Sequence, residues 1–170
     1  MKLHIGGEEE KEGWTIFNVQ KKTNTDLVGD IRDLSQFTDN SIEEVYASHI
    51  LEHIKNLEIA DVLKNLYRIL TKSGKLFVSV PNLEVLSKAI IDPNLNLQKK
   101  YEITRIIYGG QTDDYDYHYF GFTREILNAL LIQAGFNKIE EVKNFGLFDD
   151  TSSKLSYGFE ISLNTIAYKN

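Results

Sequence analysis

Residues 59–80 constrain this chain more than any other stretch. Ile59, Val62, Leu63, Leu66, Tyr67 and Leu70 recur at i, i+3, i+4, i+7, i+8 and i+11. That spacing draws one unbroken apolar stripe along a helix. The pattern runs out at Lys72-Ser73-Gly74, where Gly74 is expected to take the left-handed conformation that closes a helix. Leu76-Phe77-Val78-Ser79-Val80 follows, apolar toward both sides, and Pro81 stops it. A strand buried on both faces is a central strand of a parallel sheet, and a helix feeding it is half of a crossover unit.

The rest of the chain repeats the alternation. Short apolar or β-branched runs at Leu3–Ile5, Thr15–Val19, Leu27–Val28 and Val45–Ser48 read as strands, each followed by turn residues. Ile139–Val142 and Glu160–Tyr168 read as two closing strands. A helix is expected over Leu83–Ile91. A second good helix opens at Thr123 as N-cap, carries Ile126, Leu127, Leu130, Leu131 and Ala134 on one face, and ends at Gly135. The expected fold class is therefore α/β, with a seven-strand, mostly parallel sheet.

A chain of 170 residues fits one domain, taken as residues 1–170. The net charge of −6, with basic residues clustered only as the pairs Lys21-Lys22 and Lys99-Lys100, argues against a nucleic-acid partner. No apolar run approaches the length that crosses a bilayer. Gly6-Gly7 passes straight into Glu8-Glu9-Glu10, which leaves no secretory apolar segment. With no cysteine there is no disulfide, thiolate nucleophile or cysteine metal site. The expectation is a soluble, cytoplasmic protein that acts on a small molecule.

Gly6-Gly7 directly follows the first strand. Glycines there let the backbone approach a ligand in the crevice at the carboxyl ends of the strands, although the pair is equally a tight turn. The glutamates beside it would repel a pyrophosphate, which disfavours a dinucleotide and tolerates a cationic ligand.

The run from Val28-Gly-Asp30-Ile31-Arg-Asp-Leu through Phe37-Thr-Asp-Asn-Ser-Ile42 to Ser48-His49-Ile-Leu51-Glu52-His53 resembles the central stretch of class I S-adenosylmethionine-dependent methyltransferases. Tyr67-Arg68-Ile69-Leu70-Thr-Lys-Ser-Gly74-Lys-Leu76 is similar to that family's helix-turn-strand segment. The resemblance implies a three-layer Rossmann-like methyltransferase fold with an antiparallel C-terminal strand. S-adenosyl-L-methionine is the implied cofactor, lined by Gly6, Gly7, Asn18, Asp30, Ile31, Ser48 and His49. Asp30 stands where the family binds the adenine amino group, and Ser48 and His49 where it lodges the methionine part.

The chain departs from that family in three ways. It has two glycines after the first strand instead of three. Asn18 stands in place of the acidic residue that grips the ribose, without the charge that strengthens such bonds. Only Glu8–Trp14 and Gln20–Asp26 link the first three strands, too few residues for crossover helices. One sheet face is thus expected to lack helices. Trp14, Phe17 and Val19 are expected to leave an apolar patch there that seats a second copy, as a homodimer, or a partner domain.

His49-Ile-Leu-Glu52-His53 also matches the H-x-x-E-H pattern of a zinc peptidase class. That chemistry needs both histidines on one face of a long helix, whereas this motif sits at a strand exit, so no metal site is expected. Leu51 is instead expected in the core, with Glu52 and His53 as polar residues at a helix N-terminus near the cofactor. The aromatic loop Gly109–Phe122 falls where the family inserts substrate-contacting segments. Within it Tyr115, Asp116 and Tyr117 are the candidate substrate wall and His118 the candidate general base, the unperturbed histidine pKa of ~6.5 suiting that role. A purely structural aromatic cap fits the same residues. Two functions follow: methyl transfer to a small-molecule or saccharide-type acceptor, or a binding and assembly module that kept the fold and lost the reaction.

Overall fold

The computed structural model describes residues 1–156 and 158–170. Its strands are β1 (Lys2–Ile5), β2 (Trp14–Asn18), β3 (Leu27–Val28), β4 (Ile42–Ser48), β5 (Leu70–Pro81), β6 (Lys138–Val142), β7 (Leu155–Ser156), β8 (Phe159–Glu160) and β9 (Ser162–Tyr168). The helices are α1 (Asn56–Ile69), α2 (Leu83–Ile91), α3 (Leu97–Tyr108) and α4 (Arg124–Ala134). Seven strands form one sheet in the order β3-β2-β1-β4-β5-β9-β6, and β7 and β8 form a separate hairpin. β1 through β5 pair in parallel, while β9 runs antiparallel between β5 and β6. This is the sheet expected from the sequence, with its reversed strand inserted second from the edge.

Strand alternation divides the side chains into two cores. Leu3, Ile5, Phe17, Val45, Ala47, Leu76, Val78, Val80, Leu163 and Ala167 point to one face. There they meet the stripe of α1 (Ile59, Val62, Leu63, Leu66) and Leu127 and Leu131 of α4. Each such side chain contributes roughly 1.5–3 kcal/mol on full burial. Ile31, Leu34 and Phe37, in the helix-free link after β3, fill the same core beside β1 and β2. The predicted caps hold for α4: Thr123 accepts from the Ile126 amide at 3.3 Å, and Gly135 closes the helix at φ 114°.

The second face differs from expectation. Among the described residues no α-helix covers it, but it is not bare: the 3-10 turn Thr151–Ser153 brings Ser152 Oγ to 3.2 Å from the Tyr46 hydroxyl. Residues 143–150, between β6 and the hairpin, fold across it and set Phe145, Leu147 and Phe148 on Tyr46, Phe77, Trp14 and Ile166. Phe148 stacks 3.9 Å from the His4 ring and meets Tyr46 at 4.8 Å and Trp14 at 5.2 Å. His4 is buried. The supposed patch is also divided by the pleat, since Phe17 turns into the α1 core while Trp14 lies under Phe148. The surface expected to seat a partner is filled by the chain itself.

Three local expectations also shift. α1 gives way to β5 at Leu70, so the residues read as a helix end already lie in the strand. There Ser73, not Gly74, adopts the positive φ, 64°. Gly74 is needed for a close approach instead, because a Cβ would sit 2.8 Å from the Thr71 carbonyl oxygen. α3 was not read from the sequence at all; with α2 it builds a small separate core of Leu86, Ala89, Ile103 and Ile161. No helix among the described residues is long and apolar enough to cross a membrane.

Candidate functional site

A cavity of about 620 Å³ opens at the carboxyl ends of β1, β2, β3 and β4, within the size range of small-molecule sites. Two walls face one another across it. The first is built by turns that leave the strands. Gly6 leaves β1 at φ 71°, donates its amide to Phe17 O at 2.8 Å, and has no room for a Cβ, which would meet Ile50 Cδ1 at 2.2 Å. Asn18 closes β2, buried, with Oδ1 accepting the Gln20 amide at 3.0 Å and Nδ2 reaching Gly7 O at 3.4 Å. After β3, Asp30 accepts the Arg32 amide at 2.9 Å and is clasped by its guanidinium. That hydrogen bonding holds the Asp30 carboxyl below the ordinary range against the opposing pull of partial burial. Ile31 supplies an apolar surface beside it.

The second wall is the loop between α3 and α4. Gly109, at φ 84°, lies so close to the Asp116 carbonyl that a Cβ would sit 2.1 Å from it. Asp116 ties the loop to itself, accepting from the Gly110 amide at 3.2 Å and from Thr112 N and Oγ1 at 3.2 and 2.8 Å. Burial pulls its carboxyl upward, but these bonds outweigh it and leave the pKa lowered. Tyr115, Tyr117 and Tyr119, on either side of Asp116, line the cavity, each about half exposed.

Between the walls lies a histidine-rich end. His49 leaves β4 in the left-handed region (φ 54°), unusual for a non-glycine residue. Its amide donates to Ser79 O at 2.8 Å, and its Nε2 meets Ser162 Oγ at 2.9 Å. Because Ser162 Oγ donates to Thr151 O at 3.0 Å, it receives the Nε2 proton, and Nδ1 faces Glu52 Oε1 at 3.1 Å. Glu52 does lie in the first turn of a short 3-10 helix (Leu51–His53), as expected, but it is 1% exposed rather than at the surface. Burial alone would raise its carboxyl, but His49, His53 and His118 around it bring the pKa down. His118 packs edge-on against His53 at 4.7 Å, and burial lowers its pKa, partly offset by Glu52.

Of the residues proposed from sequence for the cofactor, Gly6, Asn18, Asp30, Ile31 and His49 line this one cavity, together with Tyr115, Asp116 and Tyr117 from the proposed substrate wall. Gly7, Ser48 and His118 do not. Gly7 packs on the His4 ring, where a Cβ would come within 2.3 Å of Nδ1. Ser48 lies on the Tyr46 and Asp150 side of the sheet. His118 stands behind His53. His53, expected near the cofactor, does line the cavity, whereas Arg32 and Tyr119 as lining residues, and Glu52 as the buried centre of the histidines, were not anticipated. The period-two spacing of Tyr115, Tyr117 and Tyr119 was the available signal for the tyrosine wall.

Residues 14–78 match the model of the methyltransferase domain family. No curated protein matches the chain. Among solved structures the fold recurs in a SAM-dependent methyltransferase from Archaeoglobus fulgidus, with 16% identity, a TM-score of 0.65, and coverage of 99% of this chain and 85% of that one. It recurs in an S-adenosylmethionine-dependent methyltransferase from Mesorhizobium loti at 14% identity and TM-score 0.62, covering 99% and 90%. A third is the 1,6-didemethyltoxoflavin-N1-methyltransferase of Burkholderia thailandensis, solved with 1,6-didemethyltoxoflavin and S-adenosylhomocysteine bound, at 12% identity and TM-score 0.64, covering 99% and 70%. The chain spans 61% and 51% of the length of two further neighbours.

Proposed function

We propose that this chain, whose residues 14–78 match the methyltransferase domain family and whose fold recurs in SAM-dependent methyltransferases, is a class I S-adenosylmethionine-dependent methyltransferase that transfers a methyl group from S-adenosyl-L-methionine to a small-molecule or saccharide-type acceptor. The observation that carries the reading is the one cavity that joins the two walls, so a single cleft can hold donor and acceptor together. The residues fit the donor. Gly6 keeps the first loop open to it, Asn18 offers an amide to a ribose hydroxyl, and Asp30 and Ile31 offer a carboxylate beside an apolar surface. Glu8, Asp30, Asp113, Asp114 and Asp116 outnumber Lys22, Arg32 and Lys55 around the cavity, which suits a ligand that carries positive charge and no phosphate.

S-adenosyl-L-methionine supplies, when bound, a carbon activated by the sulfonium that carries it. Transfer would leave S-adenosylhomocysteine and the methylated acceptor, whose proton would pass to solvent at the open side of the cavity. This chain's contribution is to align the two partners and keep water out, an effect worth as much as ~7–11 kcal/mol. Tyr115, Tyr117 and Tyr119 would clasp the acceptor, with ring faces for stacking and hydroxyls for hydrogen bonds.

One observation favours a second reading, a binding module without turnover. Asn18 and Asp30 already spend their polar atoms on Gly7, Gln20 and Arg32. Thermal unfolding with and without S-adenosylmethionine or S-adenosylhomocysteine separates the two. Ligand at a hundred times its Kd stabilises by ~2.7 kcal/mol, a shift of roughly 5–10 °C for a domain of this size. A saturable shift supports the donor site; no shift at millimolar ligand leaves the module.

A further inference from the structure

We propose that Glu52, His53 and His118 form a binding site for one divalent transition-metal ion at the histidine-rich end of the cavity. One donor atom from each lies within 4.8 Å of the others. With metal bonds of about 2.0–2.2 Å, the ligands of a tetrahedral ion stand about 3.3–3.6 Å apart, so side-chain movements totalling up to about 1.5 Å would close the set.

Each member is prepared for the role. Glu52 is 1% exposed, yet neither carboxylate oxygen has a well-aligned hydrogen bond; only His49 Nδ1 approaches Oε1, at 3.1 Å. A buried carboxylate with free lone pairs calls for a cation, because an unsatisfied buried charge costs several kcal/mol. His53 Nδ1 is held 3.1 Å from the Tyr117 carbonyl. A carbonyl can only accept, so Nδ1 carries the proton and Nε2 is left as a bare lone pair. Histidines that bind metals are commonly fixed in this way by a backbone carbonyl on the other nitrogen. The third ligand, His118 Nδ1, is buried with no hydrogen-bond partner. His49 plays the supporting part, its own ring anchored on Ser162.

Two imidazoles and one carboxylate suit zinc, manganese, iron, cobalt or nickel, whereas magnesium and calcium prefer sites made of oxygen. Three protein ligands leave a position open, as in metal sites that take water or substrate. Of the three only His53 lines the cavity, so the site meets the acceptor space through it. Resting on the methyl-transfer reading, the open position would take an acceptor oxygen, which favours a hydroxyl over an apolar acceptor and eases loss of its proton.

The test uses the full chain, stripped of metal with a chelator and free of any histidine tag. Co²⁺, Zn²⁺ and Mn²⁺ are titrated by calorimetry, with Co²⁺ followed also by its visible spectrum. The expected result is one equivalent of saturable binding and a cobalt spectrum of low coordination number. His53→Ala and His118→Ala should each weaken binding by more than tenfold, and His4→Phe, on the other face of the sheet, should not. Glu52→Gln belongs to the series, but the two histidine variants carry the test if it fails to fold. No saturable binding at millimolar metal, or equal affinity in the wild type and His53→Ala, overturns the site. Metal binding without any response to S-adenosylmethionine would sustain the site and defeat its role in methyl transfer.

Discussion

Replacing Lys169 with Met removes a buried ammonium that closes α1. Lys169 is 8% exposed, and its Nζ donates to Tyr67 O at 2.8 Å, Arg68 O at 3.3 Å and Asn40 Oδ1 at 2.9 Å, over the Tyr67 ring at 4.6 Å. The two carbonyls belong to the last turn of the helix, where no intrahelical amide reaches them. Arg68 O keeps the Asn40 amide at 3.1 Å, so the variant leaves Tyr67 O as the orphan. A hydrogen bond to a charged group contributes ~1.5–3 kcal/mol. The charge at the helix terminus adds ~0.3–1 kcal/mol. Burial, which lowers the lysine pKa, works against the wild type and offsets part of this. Met keeps the apolar stem, so packing is little changed. The net expectation is a loss of about 2–3 kcal/mol, or roughly 5–10 °C in Tm for a domain of this size. Urea unfolding followed by circular dichroism at pH 7 measures it. Lys138→Met, which removes an exposed pair with Glu140 at 2.9 Å, serves as the control and should leave stability little changed, because solvent screens such a pair. If Lys169→Met costs no more than this control, the buried ammonium is not what holds the end of α1.

Asn18→Asp should tighten S-adenosylmethionine binding by about tenfold, ~1.4 kcal/mol, because a carboxylate strengthens a bond to a ribose hydroxyl. The lost contact to Gly7 O is already long at 3.4 Å, so stability should fall by less than ~1 kcal/mol; calorimetry showing weaker binding would place the ribose elsewhere. His4 is buried with its pKa lowered, chiefly by desolvation. The unfolded chain therefore takes up that proton first as pH falls through ~6.5, and stability drops on acidification until the folded pKa is passed. His4→Phe should flatten the dependence of unfolding free energy between pH 7 and 5.5, and an unchanged slope would clear His4 of the effect. Gly109→Ala forces a Cβ to 2.1 Å from the Asp116 carbonyl at φ 84°. It should cost at least ~1–2 kcal/mol and speed proteolysis within residues 109–118, while an unaltered cleavage pattern would mean that the loop has room to shift.

Legibility followed periodicity. α1 could be read because its buried apolar residues form one stripe, and the core of β5 because its run is apolar toward both faces. α3 could not, because Leu97 and Tyr101 point to solvent and only its later residues, Ile103 and Ile106 among them, pack. The start of β4 was missed because Glu43 and Glu44 break its apolar run. The cover of the second face was invisible for another reason: Phe145, Leu147 and Phe148 have no period, and their partners come from four separate strands. Of the cavity lining, Gly6 was legible from its place directly after the first strand, whereas Asn18, Asp30, Ile31 and His49 were legible through the resemblance of their segments to a known family. Glu52 was not, since its burial depends on His118 from a distant loop and His49 from the strand before it. A carboxylate between two histidines in an apolar stretch was the only local hint.

The place of β9 sets an order of events on the ribosome. β5 offers one edge to β4 at once, and α1 can close over the parallel half as soon as it is made. Its other edge is paired by residues 162–168, and all of residues 82–161 must emerge first. β6, though made earlier than β9, has no other strand to bond and must wait for it. A nascent chain therefore carries Leu76, Val78 and Val80 along an open strand edge, the kind of surface through which chains aggregate. Pairing across so long a separation is also slow. Production of this protein should accordingly respond to chaperones and to growth temperature more than the stability of the finished fold would suggest.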